Sequence, residues 1–147
     1  MPVFTGAATL STLRACKGSF GGNLIGVTST YSLSAALTSG QVIQMVPVPK
    51  GARVYGNPTN VVLSSTDLDT GATPTITLSV GDGDDPDRWI TASTIGQTSG
   101  IVAGTLTTAA FNKQYTADDT IDVLVAAAPA TGATTGTLTL QVVYEAE

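Results

Sequence analysis

Apolar and polar residues alternate in short stretches of the chain, separated by turns rich in glycine, proline and aspartate. In residues 75–80 the apolar side chains Ile76, Leu78 and Val80 fall on one side of an extended strand. Residues 81–86 combine two glycines, three aspartates and a proline, which favours a turn. Residues 87–93 predict a returning strand, so the pattern indicates a β-hairpin with an acidic tip.

Further strands are predicted by the same reasoning, and no stretch has the period of an amphipathic helix. They lie within residues 24–37, 41–49, 52–55, 59–65, 101–106, 121–125 and 137–144. About eight short strands separated by turns indicate an all-β protein built as an antiparallel β-sandwich. Long crossing connections favour a jelly roll, and an immunoglobulin-like sandwich stays open because strand order is not readable from one sequence.

The chain divides into an arm and one domain. Its 147 residues suffice for a single core, which we place in residues 24–147. Residues 1–23 have no sustained period and are expected to form an extended N-terminal arm. This segment nevertheless contains apolar anchors, which either cover the edge of the domain's own core or dock on a neighbouring molecule.

The composition is poor in charge. Charged residues make up 12% of the chain, where about a quarter is usual in globular domains, and the 42% apolar fraction argues against disorder. A surface with so few charges predicts that part of it is covered by another subunit or partner. Residues 1–66 have a net charge of +4 and residues 67–147 of −9. This asymmetry indicates that one end meets an acidic surface, with chance as the alternative.

The acidic tip is the strongest candidate for a metal site. Calcium binding requires several carboxylate oxygens from one loop, and four aspartates lie close together here: Asp82, Asp84, Asp85 and Asp87. The EF-hand pattern fails, because Pro86 occupies a ligand position and Ser93 replaces the closing glutamate. A solvated acidic turn is therefore the favoured interpretation, and we expect no bound metal or other cofactor.

Enzymatic chemistry has little support in the sequence. The chain contains no histidine, which removes the commonest general base and the triads that depend on it. Most acidic residues lie in turns, so no pair of catalytic carboxylates is indicated. The single cysteine, Cys16, is expected to be a small packing residue. We therefore expect no catalytic residues and no enzymatic activity.

Aromatic residues offer one further candidate surface. Trp89 beside Arg88, with tyrosines at positions 31, 55 and 115, would form a sugar-stacking platform if exposed on a sandwich face. A tryptophan packed in the core of the sandwich is the more ordinary interpretation.

Three segments carry a resemblance to a known family. Residues 42–54, 67–91 and 116–144 resemble small structural proteins of tailed bacteriophages, in particular head decoration or cement proteins. The resemblance implies a β-rich module on the outer surface of an assembled capsid, made in the host cytoplasm. Its implied partners are the major capsid protein and further copies of itself, with a trimer favoured, and neither nucleic acid nor a membrane.

Contact residues are assigned from apolar content and charge sign. The arm is expected to contact the capsid through Phe4, Leu10, Leu13, Arg14, Lys17 and Phe20. A subunit interface is expected at Val46, Val48, Lys50 and Arg53. Two alternatives remain: a tail or head-fibre component that binds host glycans through its sandwich, and a bacterial carbohydrate-binding module.

Overall fold

The computed structural model describes residues 7–12, 23–55 and 58–146. This part of the chain forms eleven β-strands and two short 3-10 turns at Pro58–Asn60 and Ile95–Gln97, and contains no helix that could span a membrane. The strands are β1 (Ala7–Thr12), β2 (Asn23–Ser32), β3 (Val42–Val48), β4 (Arg53–Val54), β5 (Val61–Ser65), β6 (Thr77–Gly81), β7 (Ile90–Ser93), β8 (Gly100–Ala103), β9 (Lys113–Gln114), β10 (Asp119–Ala127) and β11 (Thr137–Ala146).

The strands form two antiparallel sheets that enclose one hydrophobic core. The larger sheet has β1, β2, β11, β5 and β8 side by side. The short strand β4 pairs with β11 at Glu145, beyond the end of β5, and β9 pairs with β4. The smaller sheet has the order β3, β10, β6 and β7. The predicted antiparallel β-sandwich is therefore confirmed.

Eight of the strands pair as one long hairpin folded over on itself. β2 pairs with β11, β3 with β10, β5 with β8, and β6 with β7, so each strand of the first half meets its counterpart in the second. This nested pairing is the connectivity expected of a jelly roll. The predicted hairpin of residues 75–93 lies at its turn, where β6 meets β7. The strands that the patterns did not predict are β1 and β9.

Alternation along the strands produces the core. On β11 the side chains of Leu138, Leu140, Val142 and Tyr144 are buried, as the period of two predicts. On β6 Leu78 and Val80 are fully buried against them from the facing sheet. Since both sheets contribute apolar residues to a shared interior, the sandwich is stabilised mainly by burial of these faces.

Strand β3 corrects part of the predicted subunit interface. Val46 and Val48 are buried in the core and cannot form a surface for another subunit. The reason is a β-bulge in β3. Ile121 of β10 pairs with Val46, and the next residue, Asp122, pairs with Gln44, so Met45 is left as an extra residue. The bulge reverses the alternation of the strand, so Ile43 and Met45 before that point and Val46 and Val48 after it all face the core.

The predicted arm is described in part. Residues 7–12 form β1, which pairs with β2 at the edge of the larger sheet, with Leu10 opposite Val27. This stretch thus belongs to the domain's own sheet. The other predicted contact residues of the arm lie outside the described residues: Phe4, Leu13, Arg14, Lys17 and Phe20.

Truncation of a core side chain on β11 tests this packing. We expect Leu140→Ala to lower the free energy of unfolding by about 2–5 kcal/mol, because it leaves a cavity between the sheets. The control is Gln141→Ala, the exposed neighbour on the same strand, which should change stability by no more than about 0.5 kcal/mol. Chemical denaturation measures both, and equal losses would contradict the assignment of the core.

Candidate functional site

The acidic hairpin tip forms an ion-pair network around Asp82. Arg88 donates from Nε to Asp82 Oδ2 at 2.8 Å and from Nη2 to Oδ1 at 3.1 Å. The Tyr115 hydroxyl donates to Oδ2 at 3.0 Å, and the carboxylate is fully buried. Two parallel bonds from a guanidinium to a carboxylate are a strong and directional pairing. The tip is therefore held together internally by a buried salt bridge.

Backbone contacts extend this network over several loops. The N–H groups of Asp84 and Asp85 donate to Asp82 Oδ1, and Arg88 Nη1 donates to the carbonyl of Ala109 at 2.8 Å. Lys113 Nζ lies 3.0 Å from Asp84 Oδ2. We call the loops joined here, residues 82–89 and 104–119, the Asp82 end of the sandwich.

Glycine is required where the tip folds back on β6. A Cβ built on Gly81 would lie 2.0 Å from the Asp85 carbonyl oxygen, a distance that no side chain tolerates. The loop therefore packs directly on the strand backbone. This close approach brings the Asp82 carboxylate under the loop, where Arg88 meets it.

Burial and pairing oppose each other in setting the protonation of Asp82. Burial raises the pKa of this carboxyl, but the hydrogen bonds and charge of Arg88, with help from Tyr115 and Lys113, outweigh it and hold the pKa below its usual value. Burial and the neighbouring Asp82 charge raise the pKa of Tyr115 far above its ordinary range. Asp82 is thus ionised and Tyr115 protonated at neutral pH.

The four aspartates proposed as calcium ligands do not converge. Asp82 is paired with Arg88, and the Asp84 side chain is largely exposed and contacts Lys113. In the ranges that the structure describes, no three cysteine or acidic side chains form a group suited to a metal ion. The cations that meet the buried carboxylate are the guanidinium of Arg88 and, at 3.8 Å, Nζ of Lys113, so the tip is not the fully solvated turn favoured from sequence.

The opposite end of the sandwich is organised by Asp69. This aspartate is buried, and its carboxylate accepts backbone N–H groups from three segments of chain, at distances of 2.6–3.3 Å. The donors are Gly71, Thr75, Ile76, Ala130 and Thr131. Burial raises the pKa of Asp69, but these hydrogen bonds outweigh it and hold the pKa far below its usual value. Asp69 therefore joins the β5–β6 and β10–β11 connections.

Among the residues that the structure describes, Asp122 is a titratable group with a buried oxygen that has no hydrogen-bond partner. It lies on β10 opposite Gly81, and its Oδ1 atom is buried without a hydrogen-bond partner. Its pKa is raised to about 6: burial is the largest cause, a hydrogen bond with Thr120 opposes it, and the charges of Asp119 and Asp82 add to it. The sequence pattern does not mark this residue, because its burial depends on the loop folded over β6.

The aromatic platform is not present on the surface. Trp89 is 3% exposed, and the Arg88 guanidinium carbon lies 5.9 Å from the centroid of its ring. Tyr31 and Tyr115 are also buried, and the Tyr55 hydroxyl donates to Glu145. The packed tryptophan, which was the more ordinary interpretation, is the one that the structure has.

Two predicted interface residues do lie on the surface, near the Asp82 end. The exposed Lys50 donates its backbone N–H to Asp118 Oδ1 at 2.8 Å. Arg53 Nη2 donates to Gln114 Oε1 at 3.2 Å. Their assignment to a subunit contact stays a prediction.

The contacts of the buried carboxylates indicate a structural role for both ends of the sandwich. The buried carboxylates at both ends bind backbone amides, a guanidinium and a tyrosine of the same chain, and each joins loops together. These are structural contacts in a rigid β-sandwich, and they point to a protein whose function lies in its shape and surfaces.

Comparison with solved structures identifies the family. A chain of the cyanophage Pam1 capsid asymmetric unit has 32% sequence identity and a TM-score of 0.72, covering 93% of this chain and 94% of its own. A chain of the Ralstonia phage GP4 capsid has 29% identity and a TM-score of 0.71 at 92% coverage of both chains. The chain belongs to this family of bacteriophage capsid-associated structural proteins.

A third solved structure shares the fold. It is a chain from the acid-stable capsid of Helicobacter pylori bacteriophage KHP30, with 21% identity and a TM-score of 0.53 over 83% of this chain and 92% of its own. No family model and no curated protein sequence matches the chain.

Removal of Arg88 tests the network at the Asp82 end. We expect Arg88→Ala to lower the free energy of unfolding by about 3–5 kcal/mol, because Asp82 then stays buried with only Lys113 Nζ, 3.8 Å away, as a counter-charge. The matched control is Arg53→Ala, a surface arginine bonded to Gln114, which should cost no more than about 1 kcal/mol. A similar, small loss for both variants in urea titrations would show that the buried pair is not structurally important.

Asp122 predicts a pH dependence of stability. Its pKa is higher in the folded state than in the unfolded chain, so the folded state binds the proton more tightly, and stability falls as pH rises from about 4 through 6. Asp122→Asn should therefore be more stable than wild type at pH 7, by about 1 kcal/mol after allowance for solvent screening, and show little gain at pH 4. Thermal unfolding across this range measures the difference.

The exposed Asp87→Asn variant is the control for loss of one negative charge. This variant retains Asp122, so it should keep the wild-type pH dependence between pH 4 and 6 and differ from wild type only by a small amount. If Asp122→Asn and wild type show the same pH dependence, the raised pKa of Asp122 is contradicted.

Proposed function

We propose that this protein is a capsid decoration, or cement, protein that binds the assembled lattice of the major capsid protein on the outer surface of the head. The observation that carries the proposal is the full-length match to a chain of a cyanophage capsid, with more than nine-tenths of both chains covered. The matched chain is therefore of similar size, a module about as small as this one. A small module added to a shell suits decoration better than building the shell itself.

The described structure supports the same role. A decoration protein requires a rigid body and surfaces that contact neighbours, and requires no catalytic group. Here the sandwich ends are fixed by buried Asp69 and Asp82, which bind groups of the same chain. The scarcity of charge, 12% of residues, is consistent with a surface that is partly covered in the assembled particle.

The mechanism of stabilisation is thermodynamic linkage. A protein that binds the assembled shell and not the free capsid subunits lowers the free energy of the shell with every copy bound. The contribution of one copy depends only logarithmically on its concentration, but a lattice offers many equivalent sites. Modest affinity at each site is then sufficient to resist the outward pressure of packaged DNA.

The capsid contact is proposed in the N-terminal segment. Leu10 lies in β1, and the other assigned contact residues are Phe4, Leu13, Arg14, Lys17 and Phe20. Thr12 and Asn23, which flank residues 13–22, both lie at the end of the larger sheet where β11 pairs with β4. Because this is the Asp82 end, we propose that this end of the sandwich faces the capsid.

The alternative of a glycan-binding tail or head-fibre component has weaker support. It depended on an aromatic platform, and Trp89, Tyr31 and Tyr115 are buried in the core. The decoration role is therefore the function that the described residues favour.

A sedimentation assay tests the proposal. Capsids assembled from the cognate major capsid protein, and lacking this protein, are mixed with the purified chain and pelleted. We expect saturable binding in a fixed ratio to the capsid protein, no binding to unassembled subunits, and a higher temperature of capsid disruption when the chain is bound. Binding in only a few copies per particle, or none, would contradict a cement role.

Charge reversal locates the contact in the same assay. Arg14→Glu combined with Lys17→Glu should weaken capsid binding about tenfold or more, because both cations lie in the proposed contact segment. Thr135→Glu, at an exposed position in the β10–β11 connection at the opposite, Asp69 end, is the control and should bind as wild type does. Equal binding by all variants would remove the contact from residues 13–22.

A further inference from the structure

Two exposed apolar side chains lie on one loop of the Asp82 end. In the part of the chain that the structure describes, four large apolar residues are exposed: Leu24, Ile101, Leu106 and Phe111. Leu106 and Phe111 belong to the loop of residues 104–119, and their exposed fractions are 55% and 62%. Single exposed apolar residues are ordinary on protein surfaces, but two on one short loop indicate a surface that contacts another molecule.

This loop is held against the hairpin tip by hydrogen bonds. The Arg88 guanidinium donates from Nη1 to the Ala109 carbonyl at 2.8 Å, and the Arg88 carbonyl accepts the Thr107 hydroxyl at 3.4 Å. Thr105 donates its N–H to the Trp89 carbonyl at 2.7 Å. The loop is therefore fixed by the same arginine that pairs with the buried aspartate of the tip.

Thr107 closes a turn inside the loop. Its hydroxyl accepts the Ala110 N–H at 3.0 Å, and its carbonyl accepts the Phe111 N–H at 3.0 Å. Ala110 is fully buried, which anchors the turn to the core. The backbone is thus ordered before any partner binds, while the side chains of Leu106 and Phe111 remain exposed.

An ordered loop with exposed apolar side chains has a physical consequence for binding. Apolar surface in water is unfavourable, so these two side chains do not stabilise the free protein. A loop that is already held in one conformation loses little conformational entropy when a partner covers it. The arrangement is therefore typical of a preformed binding element.

The loop lies near the proposed N-terminal contact segment. One row of paired residues crosses the larger sheet at this end, from Leu24 through Glu145 and Arg53 to Gln114 of the loop. Leu24 lies just after residues 13–22, and the row spans three strand spacings, about 14 Å. An interface of standard size, about 800 Å² on each partner, is wide enough to include both.

We infer that residues 105–111 form a docking loop that places Leu106 and Phe111 in an apolar recess of the assembled major capsid protein. The inference rests on the proposed capsid binding and adds a second contact beside residues 13–22. The loop supplies the apolar centre that protein interfaces have, and the charged groups of the same end supply the rim.

Charge favours the capsid protein over the same end of a second copy. The Asp82 end contains six aspartates against two cations, a net charge of −4, so two such ends repel each other. Its exposed acidic side chains are Asp84, Asp87 and Asp118. The complementary partner is an apolar recess with basic side chains around it.

Removal of both exposed side chains tests the docking loop in the capsid sedimentation assay. We expect Leu106→Ser combined with Phe111→Ser to raise the dissociation constant for capsids about tenfold or more, because residues at the centre of an interface contribute most to binding. Thermal unfolding should be nearly unchanged, since both side chains are exposed in the free protein.

The matched control is Ile101→Ser, an exposed apolar residue outside the docking loop. Ile101 shares a row with Ser64 and Thr139, six residues along β11 from Glu145 and so about 20 Å from the row at the Asp82 end. This variant should bind capsids as wild type does. An equal loss of binding in the control and in the double variant would overturn the assignment to the loop.

Thr107→Val tests whether the loop must be held in place. The substitution removes the hydroxyl that bonds Ala110 and Arg88 and keeps Leu106 and Phe111. We expect faster hydrogen exchange at the Ala110 amide and capsid binding weakened about threefold, because the loop is then ordered only on binding. Faster exchange with unchanged binding would overturn the inference that the loop acts as a preformed element.

The outcomes separate this inference from the proposed function. Wild type that does not bind capsids would overturn both. Wild type and the double variant binding equally well would overturn the docking loop alone. If the double variant binds capsids normally but differs from wild type in the sedimentation of the free protein, the loop contacts another copy, and the inference is also overturned.

Discussion

Antiparallel pairing of β2 with β11 is the interaction on which the rest of the structure depends. The two strands pair over all ten residues of each, from Ser32 with Thr137 to Asn23 with Ala146. This brings the first half of the jelly roll against the last, and the other nested pairs follow between them. Without it the larger sheet would not have a complete inner face, and the core that Leu138, Leu140 and Val142 share with β6 could not close.

Two buried aspartates then fix the connections that the pairing leaves at each end. Asp69 accepts the backbone N–H groups of Gly71, Thr75, Ile76 and residues 130–131. Asp82 binds a guanidinium, a tyrosine and its own turn. Both stay ionised because their hydrogen bonds outweigh the cost of burial. A rigid body of this kind suits a protein that must contact neighbours in a fixed orientation, and this links the fold to its family of capsid-associated proteins.

Local patterns predicted the secondary structure better than the site. The hairpin of β6 and β7 and the buried face of β11 follow from alternation and turn residues within one segment. The assignment of Val46 and Val48 to a subunit interface was wrong, because a bulge opposite Ile121 reverses the alternation of β3. The sequence does not mark this bulge. The sequence identified the Asp82 loop, but two of the contacts depend on tertiary structure. These are the hydrogen bond of Asp82 with Tyr115, 33 residues away, and the hydrogen bonds of Asp69 with residues 130–131.

The central claim is that this sandwich belongs on an assembled capsid, and lattice stoichiometry tests it most directly. The measurement is the number of copies that co-sediment with cognate capsids at saturation, counted against the major capsid protein, with unassembled subunits as the comparison. The account predicts a plateau at a simple fixed ratio on capsids and no association with free subunits. Binding to free subunits as tight as to capsids, or a plateau of only a few copies per particle, would contradict it.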